Sequence, residues 1–288
     1  MTLKAKDTFF HKRRTLNLRG ELMDLSTPKI MGILNTTPDS FFDGGKYQQH
    51  DKAIIRIEQM IEEGLDILDI GAFSTRPGAE IIDEKEELNR LSSVLPEITK
   101  RYPHLPISID TFRSEIAKAT IGMGAHIIND VSGGKLDDKM FKTVGELKVP
   151  YVLMHMQGNP QTMQNKPTYE HVVAEILEDL GKKTYELVSC GVNDVIVDPG
   201  FGFGKTVEHN YQILDQLTDF RMIEMPILVG FSRKSMINKV LGTKPETALN
   251  GTTILNTLAV ERGADILRVH DVKEAKQVIT LHQQLQTS

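Results

Sequence analysis

Tryptophan is absent from the 288-residue chain, and cysteine occurs once, at Cys190. A single thiol excludes an internal disulfide and fits a reducing compartment. Cys190 ends a helical stretch just before Gly191, and an inert structural or surface thiol is expected there. Long apolar runs are also missing: none approaches the roughly 20 residues needed to cross a bilayer. Lys4, Lys6, Lys12, Arg13 and Arg14 are not followed by a continuous apolar stretch, so no signal peptide is expected. Nor is there the basic excess that a nucleic-acid partner favours, because the formal net charge is −5. Small anions still bind wherever a few lysines and arginines converge. These absences predict a cytoplasmic protein with neither membrane nor nucleic acid as partner. Ser/Gly linkers, low-complexity segments and fixed-period repeats are absent as well, which predicts a single domain over residues 1–288. Apolar residues make up 40% of the chain, enough for one sizeable core, and single α/β barrels routinely exceed about 200 residues.

What the chain does have is eight short apolar runs, at residues 30–34, 65–70, 107–109, 127–128, 151–154, 195–197, 227–229 and 266–269. Each leads into a polar or glycine-rich set. Between them lie stretches with helical periodicity, at 51–63, 83–100, 114–122, 137–147, 169–189, 208–217, 235–241 with 247–262, and 272–286. The alternation predicts an α/β fold of the (β/α)8 TIM barrel type, whose active site is assembled from the C-terminal ends of its strands. Residues 15–25 alternate apolar and polar around Arg19-Gly20 and predict a β-hairpin, within an N-terminal extension of about 8–26. A hairpin there would close the N-terminal mouth and leave the opposite end for chemistry.

The strand ends carry that chemistry. Asp110, Asn129 and Asp198 end runs three, four and six and are expected to project into the barrel mouth. A buried carboxylate is costly unless paired or hydrogen-bonded. Two carboxylates beside an amide form an acceptor-rich cavity, suited to a flat heterocycle with N–H and NH2 donors, and Met154 and Phe203 would be its apolar walls. The alternative is that Asp110 and Asp198 merely cap the helices that follow. On the cationic side, Ser232-Arg233-Lys234-Ser235 opens a helix directly after run seven, where backbone N–H groups, Lys234 and Ser235 suit an anion. Arg268 and His270 lie two apart, hence on one face of run eight, and suit a diphosphate.

Two punctuated loops complete the mouth. The first, residues 35–45, contains Phe41 and Phe42, which are costly to leave exposed. The second, residues 73–78, carries Arg76, suited to transient capture of a carboxylate or phosphate. Asn35 and Asp39 offer hard oxygen ligands that, with substrate phosphates, suit a shared Mg2+ ion.

Read in order, the motifs resemble those of the bacterial dihydropteroate synthases, in the pterin-binding family, over nearly the whole chain. The resemblance rests on Met31-Gly32-Ile33-Leu34-Asn35, Thr37-Pro38-Asp39-Ser40-Phe41, Asp43-Gly44-Gly45, Ser74-Thr75-Arg76-Pro77-Gly78 and Ser108-Ile109-Asp110-Thr111. It continues through residues 124–130, 154–160 and 198–205 to Gly230-Phe231-Ser232-Arg233-Lys234-Ser235 and Arg268-Val269-His270-Asp271-Val272. A glycine-rich stretch such as 200–204 is weak alone; the whole series in this order and spacing is specific.

The resemblance implies a folate-pathway transferase. Such an enzyme joins 6-hydroxymethyl-7,8-dihydropterin diphosphate to p-aminobenzoate and releases diphosphate and 7,8-dihydropteroate. Carried over by motif, Asp110, Asn129, Met154, Asp198, Lys234 and Arg268 would form the pterin site. Asn35, Arg268 and His270 would hold the diphosphate, with the cofactor Mg2+ on Asn35 and Asp39. Phe41, Thr75, Arg76, Pro77, Phe203, Lys234 and Ser235 would form the p-aminobenzoate site, where sulfonamides would compete. Catalysis would fall to Asp110, Lys234, Arg268, His270 and Asn35, and a homodimer built on the later helices is implied. The chain departs at Phe73, where many members have Glu or Gln; this bears on the packing of the second loop rather than on Thr75 or Arg76. Two other readings remain at this point. A pterin-binding methyltransferase shares the acceptor pocket but needs no diphosphate site. A non-catalytic pterin-binding paralogue would have no need of Arg76, Lys234 or Asp110.

Overall fold

The computed structural model describes residues 13–36, 46–72, 82–158 and 167–287. It opens with an antiparallel hairpin of β1 (Thr15–Leu18) and β2 (Glu21–Asp24). Arg19 and Gly20 both take positive φ there, at 57° and 100°, as a tight two-residue hairpin turn requires. Eight parallel strands follow: β3 (Lys29–Asn35), β4 (Ile67–Gly71), β5 (Ile107–Asp110), β6 (Ile127–Asp130), β7 (Tyr151–Met154), β8 (Val195–Asp198), β9 (Leu228–Val229) and β10 (Ile266–Val269). They pair in the order β8-β7-β6-β5-β4-β3-β10-β9, and a parallel bridge between Val197 and Ile227 joins the two ends. The expected eight-stranded barrel is therefore present. Its outer layer is α1 (Lys46–Glu63), α2 (Glu84–Arg101), α3 (Ser114–Gly122), α4 (Met140–Leu147), α5 (Val172–Ser189), α6 (Val207–Asp215), α7 (Ser235–Leu241), α8 (Leu249–Glu261) and α9 (Val272–Thr287). No helix among the described residues is long and apolar enough to cross a membrane.

Strand residues alternate between two cores because successive side chains leave opposite faces of a sheet. Ile30, Leu34, Leu68, Ile70, Ile107, Ile109, Ile128, Leu153, Val197, Val229 and Leu267 belong to one buried cluster with helix residues such as Ile57, Leu91, Ile116 and Ile176. The intervening residues Met31, Ile67, Ile127, Val152, Ile196, Leu228 and Ile266 form a second cluster, together with Leu16, Leu18 and Leu25. That second cluster is the barrel's own floor, and the hairpin supplies its plug. The predicted closure of the N-terminal mouth thus has a physical basis: three leucines fill the space beneath the lowest interior layer.

Element boundaries differ locally from the periodicity. The helix expected from residue 137 begins at Met140, because Asp137 instead accepts from the Ser114 N–H at 2.7 Å and the Lys139 N–H at 3.0 Å. The stretch expected to be helical over 208–217 ends as α6 at Asp215 and continues as a 3-10 helix, Leu217–Ile223, which buries Leu217 and Phe220. Cys190 caps the end of α5 and is exposed.

If the hairpin is the plug, Leu16→Ala should cost about 2–4 kcal/mol in urea unfolding, while leaving turnover intact because the chemistry lies at the other end. Unchanged stability would show that the floor packs without it.

Candidate active site

Register brings side chains remote in sequence to one mouth. Asn35 pairs with Gly71, Gly71 with Asp110, and Asp110 with Asn129. Asn129 lies opposite Val152, so Met154 and its partner Asp198 stand two residues further along. Two positions above the apolar floor come Asp69 after Ile67, Asn129 after Ile127, Met154 after Val152, Asp198 after Ile196, Gly230 after Leu228 and Arg268 after Ile266. The interior therefore changes from hydrocarbon to polar over one side-chain period.

Arg268 is the hub of this polar layer. Its Nε and Nη2 both lie 2.7 Å from Asp69 Oδ2, and Nη2 also donates to Asp110 Oδ2 at 2.9 Å. Asn129 Nδ2 donates to the same Asp69 oxygen at 3.1 Å. Asp69 and Asp110 are both buried, and each keeps its Oδ1 without a hydrogen-bond partner. Burial pushes the Asp110 carboxyl up to about 7; Arg268 opposes this, and the Asp69 charge reinforces it. For Arg268, burial acts against the charge, but the two carboxylates outweigh it and hold the guanidinium above its ordinary range.

Asp198 does not cap a helix: its Oδ1 accepts from the Gly200 N–H two residues on, at 2.7 Å. Nor does Asp110, since the helix after it has Arg113 at its N-cap with no side-chain cap bond. Burial raises the Asp198 carboxyl, and Lys234 partly offsets it. Lys234 sends its ammonium inward, donating to the Phe201 carbonyl at 2.6 Å and lying 4.7 Å from the centre of the Phe203 ring. Burial lowers it to about 8 despite the attraction of Asp198. Gly230 lies beside both cations: a Cβ there would be in ordinary contact with Arg268 Cβ at 3.7 Å and Lys234 Nζ at 3.9 Å. Met154 is buried with Val131 and Met156, and Phe203 packs on them as a partly exposed apolar wall. Ser235 opens α7 and is exposed.

At the rim, His270 Nδ1 lies 2.8 Å from Ser232 Oγ, and the same oxygen accepts from the His270 N–H at 3.3 Å. Arg56 of α1 donates to the His270 carbonyl at 2.7 Å. Asn35 ends β3, the strand beside β10, and is half-buried. Asp39, Phe41, Thr75, Arg76 and Pro77 lie outside the described residues, as do Phe42 and Phe73.

The charges are thus arranged otherwise than as an acidic pocket beside a separate basic rim. Arg268 sits inside the acidic pocket and offsets part of its charge, and among the described residues His270 stays at the rim. Asp69 is the residue of this cluster that the apolar-run reading misses. It is enclosed in the stretch Ile67-Leu68-Asp69-Ile70-Gly71, with no turn or glycine beside it. Its signal is its phase: an aspartate two residues after an interior isoleucine, in a strand covered on both faces. Glu87, in the acidic first turn of α2, is a further buried carboxylate. Fully buried, it accepts from Thr111 Oγ1 at 2.6 Å and pairs with Arg113 behind the Asp110 strand.

Comparison with known proteins agrees with this geometry. A family model described as pterin binding enzyme matches residues 31–270. The dihydropteroate synthase of Haemophilus influenzae is 42% identical, over 93% of this chain and 98% of its own length. The Yersinia pestis dihydropteroate synthase, solved with a sulfonamide drug, superposes with a TM-score of 0.89 at 37% identity, covering 95% of this chain and all of that one. The Xanthomonas albilineans enzyme, solved with 4-aminobenzoic acid, gives a TM-score of 0.89 at 38% identity, over 96% of this chain and 99% of its own. With the barrel, the acceptor cluster and these likenesses in agreement, the chain belongs to the pterin-binding enzymes and, among them, to the dihydropteroate synthases.

Proposed function

We propose that the barrel mouth condenses 6-hydroxymethyl-7,8-dihydropterin diphosphate with p-aminobenzoate, yielding 7,8-dihydropteroate and diphosphate. The observation that carries this reading is the buried Asp69–Arg268–Asp110 cluster flanked by Asn129 and Asp198. It combines acceptors for a pterin edge with a cation that reaches a leaving anion.

The pterin ring presents N–H and NH2 donors, to which Asp110, Asn129 and Asp198 supply acceptors and Met154 an apolar face. Asp110 Oδ1, buried and without a hydrogen-bond partner among the described residues, has its acceptor capacity unmet. Among the described residues Arg268 is engaged through Nε and Nη2, which leaves Nη1 for the diphosphate. The bond between the methylene carbon and the diphosphate oxygen breaks with its electron pair leaving on oxygen. Positive charge then spreads over the pterin, where ionised Asp110 stabilises it, while Arg268 and His270 stabilise the leaving group. The p-aminobenzoate nitrogen attacks the carbon with its lone pair and releases a proton, so no strong base is needed. Exclusion of water by the two loops keeps the cation from hydrolysis.

Mg2+ is the cofactor in this reading. Among the described residues there is no cluster of three or more His, Cys, Asp or Glu able to hold a metal, and Asn35 offers a single amide oxygen beside β10. A hard amide oxygen of this kind suits Mg2+, which takes one or two protein oxygens and completes its shell with water and phosphate. Asn35 would hold it with Asp39. When bound, it neutralises charge on the departing diphosphate. Thr75, Arg76, Pro77, Phe41, Phe203, Lys234 and Ser235 make up the p-aminobenzoate site in this reading, and sulfonamides compete there. A homodimer through α7, α8 and α9 fits the exposed Val240, Leu241, Ile254, Leu281 and Leu285.

Diphosphate release, assayed with each substrate alone and with both, with and without Mg2+, tests the reaction. Release should need the pterin substrate and Mg2+, and dihydropteroate should form only with p-aminobenzoate; release independent of the pterin substrate would overturn the reading. Asp110→Asn should lower kcat by about 100-fold or more while weakening the pterin substrate far less; equal kinetics would remove the carboxylate from cation stabilisation. The pH profile follows with a definite sign. Asp110 near 7 is protonated below that pH and Lys234 near 8 is neutral above it, so kcat/KM should fall on both sides and Asp110→Asn should lose the acid limb. Asp69→Asn should cost about 3 kcal/mol of stability and weaken the pterin diphosphate; unchanged unfolding would mean that Arg268 does not depend on it.

A further inference from the structure

The mechanism leaves one buried cation unused. Lys205 is 3% exposed, and its ammonium lies within hydrogen-bonding distance of four acceptors: the carbonyls of Gly200 at 2.9 Å, Phe203 at 3.0 Å and His155 at 3.3 Å, and His155 Nδ1 at 3.1 Å. None of them is a carboxylate. Burial lowers the Lys205 amine to about 7 against the attraction of Asp198; in its protonated form it donates three protons and accepts none, so His155 Nδ1 then accepts with the ring neutral. Burial and the adjacent Lys205 both lower the imidazole's basicity and keep it so.

The four acceptors lie on two segments, the residue after β7 and the loop after β8, just where the parallel ladder ends with the His155 N–H donating to the Asp198 carbonyl at 2.9 Å. That loop turns through Gly200, Gly202 and Gly204, with φ of 72°, 83° and 62°. A Cβ on Gly200 would lie 1.9 Å from the His155 carbonyl, and one on Gly204 2.5 Å from that of Gln157. The two backbones therefore lie against each other with no room for side chains, and the carbonyls that converge on the join are bound by Lys205. Phe203 is fixed at both ends by this arrangement: Lys205 binds its carbonyl, and Lys234 lies 4.7 Å from its ring centre. Tyr169 adds a hydroxyl to the neighbouring Gly204 carbonyl at 3.0 Å.

We propose that Lys205 is a positioning residue for the p-aminobenzoate wall, holding Phe203 in place by bridging the β8 loop to His155. This rests on the assignment of Phe203 to that substrate. Lys205 hydrogen-bonds backbone and His155 rather than Asp110, Asn129 or Arg268, and touches the pterin acceptor Asp198 only through its charge, so its removal falls mainly on the p-aminobenzoate wall.

The test is the steady-state kinetics of Lys205→Met, which keeps length and removes the charge. KM for p-aminobenzoate and the inhibition constant of a sulfonamide should rise together by about 10-fold, the worth of a lost charged hydrogen bond. KM for the pterin diphosphate, and diphosphate release without p-aminobenzoate, should stay within about 2-fold, well under one such bond. Lys205→Ala should recover its p-aminobenzoate KM in ethylammonium chloride but not in sodium chloride. Should neither variant fold, Tyr169→Phe carries the test and should raise the p-aminobenzoate KM alone. A parallel rise in both KM values, or no rise in either, overturns the positioning role. Wild-type protein unable to form dihydropteroate would instead overturn the functional reading beneath it.

Discussion

The guanidinium of Arg268, clamped between Asp69 and Asp110, is the interaction on which the rest of the mouth depends. It ties β10 to β4 and β5 across the barrel interior, and Asn129 extends the tie to β6 through the same aspartate oxygen. Ions brought this far from water cost several kcal/mol each unless they neutralise one another. Two carboxylates against one guanidinium leave an excess of one negative charge in the cluster, set above a floor of packed hydrocarbon. That residue of charge is what a delocalised organic cation would be attracted to. The same guanidinium that makes the carboxylates tolerable remains able to reach an anion above them. In the proposed reaction, structural neutralisation and catalytic reach would therefore be one side chain's two duties.

Much of this was legible from the order of residues. Isoleucine and valine runs ending in Asp110, Asn129, Met154 and Asp198 mark strands buried on both faces, and the barrel follows from their alternation with amphipathic stretches. The hairpin was legible because Arg19-Gly20 is a turn signal set between alternating residues. What escaped is instructive. Asp69 lies inside an apolar run, where counting hydrophobic residues hides it and only the two-residue phase of the strand exposes it. Pairing of Arg268 with the aspartates could not be read from spacing, since it joins residues 199 and 158 positions apart. The helix expected from 137 starts late because Asp137 accepts from the Ser114 and Lys139 N–H groups, and that expected from 169 starts at Val172 because Glu175 accepts from the Glu170 and His171 N–H groups instead.

The two lysines near the β8 loop belong to a different economy of charge. Lys234 and Lys205 satisfy carbonyls that successive glycines have turned inward, in a place where regular secondary structure supplies no N–H partners. An irregular loop can be buried only if each of its polar atoms finds a donor or acceptor. Here long cationic side chains do what a sheet ladder does elsewhere, and they lend rigidity to a loop that a ligand must press against.

The leucine plug has a consequence for traffic. With Leu16, Leu18 and Leu25 packed beneath the interior floor, the described residues close the barrel from below. Whatever sits against Asp110 and Asn129 has to arrive before anything that sits above it, and it is the last to depart. A blind-ended vessel of this kind imposes a stacking order on its occupants, deepest first in and last out, by topology and without any moving part.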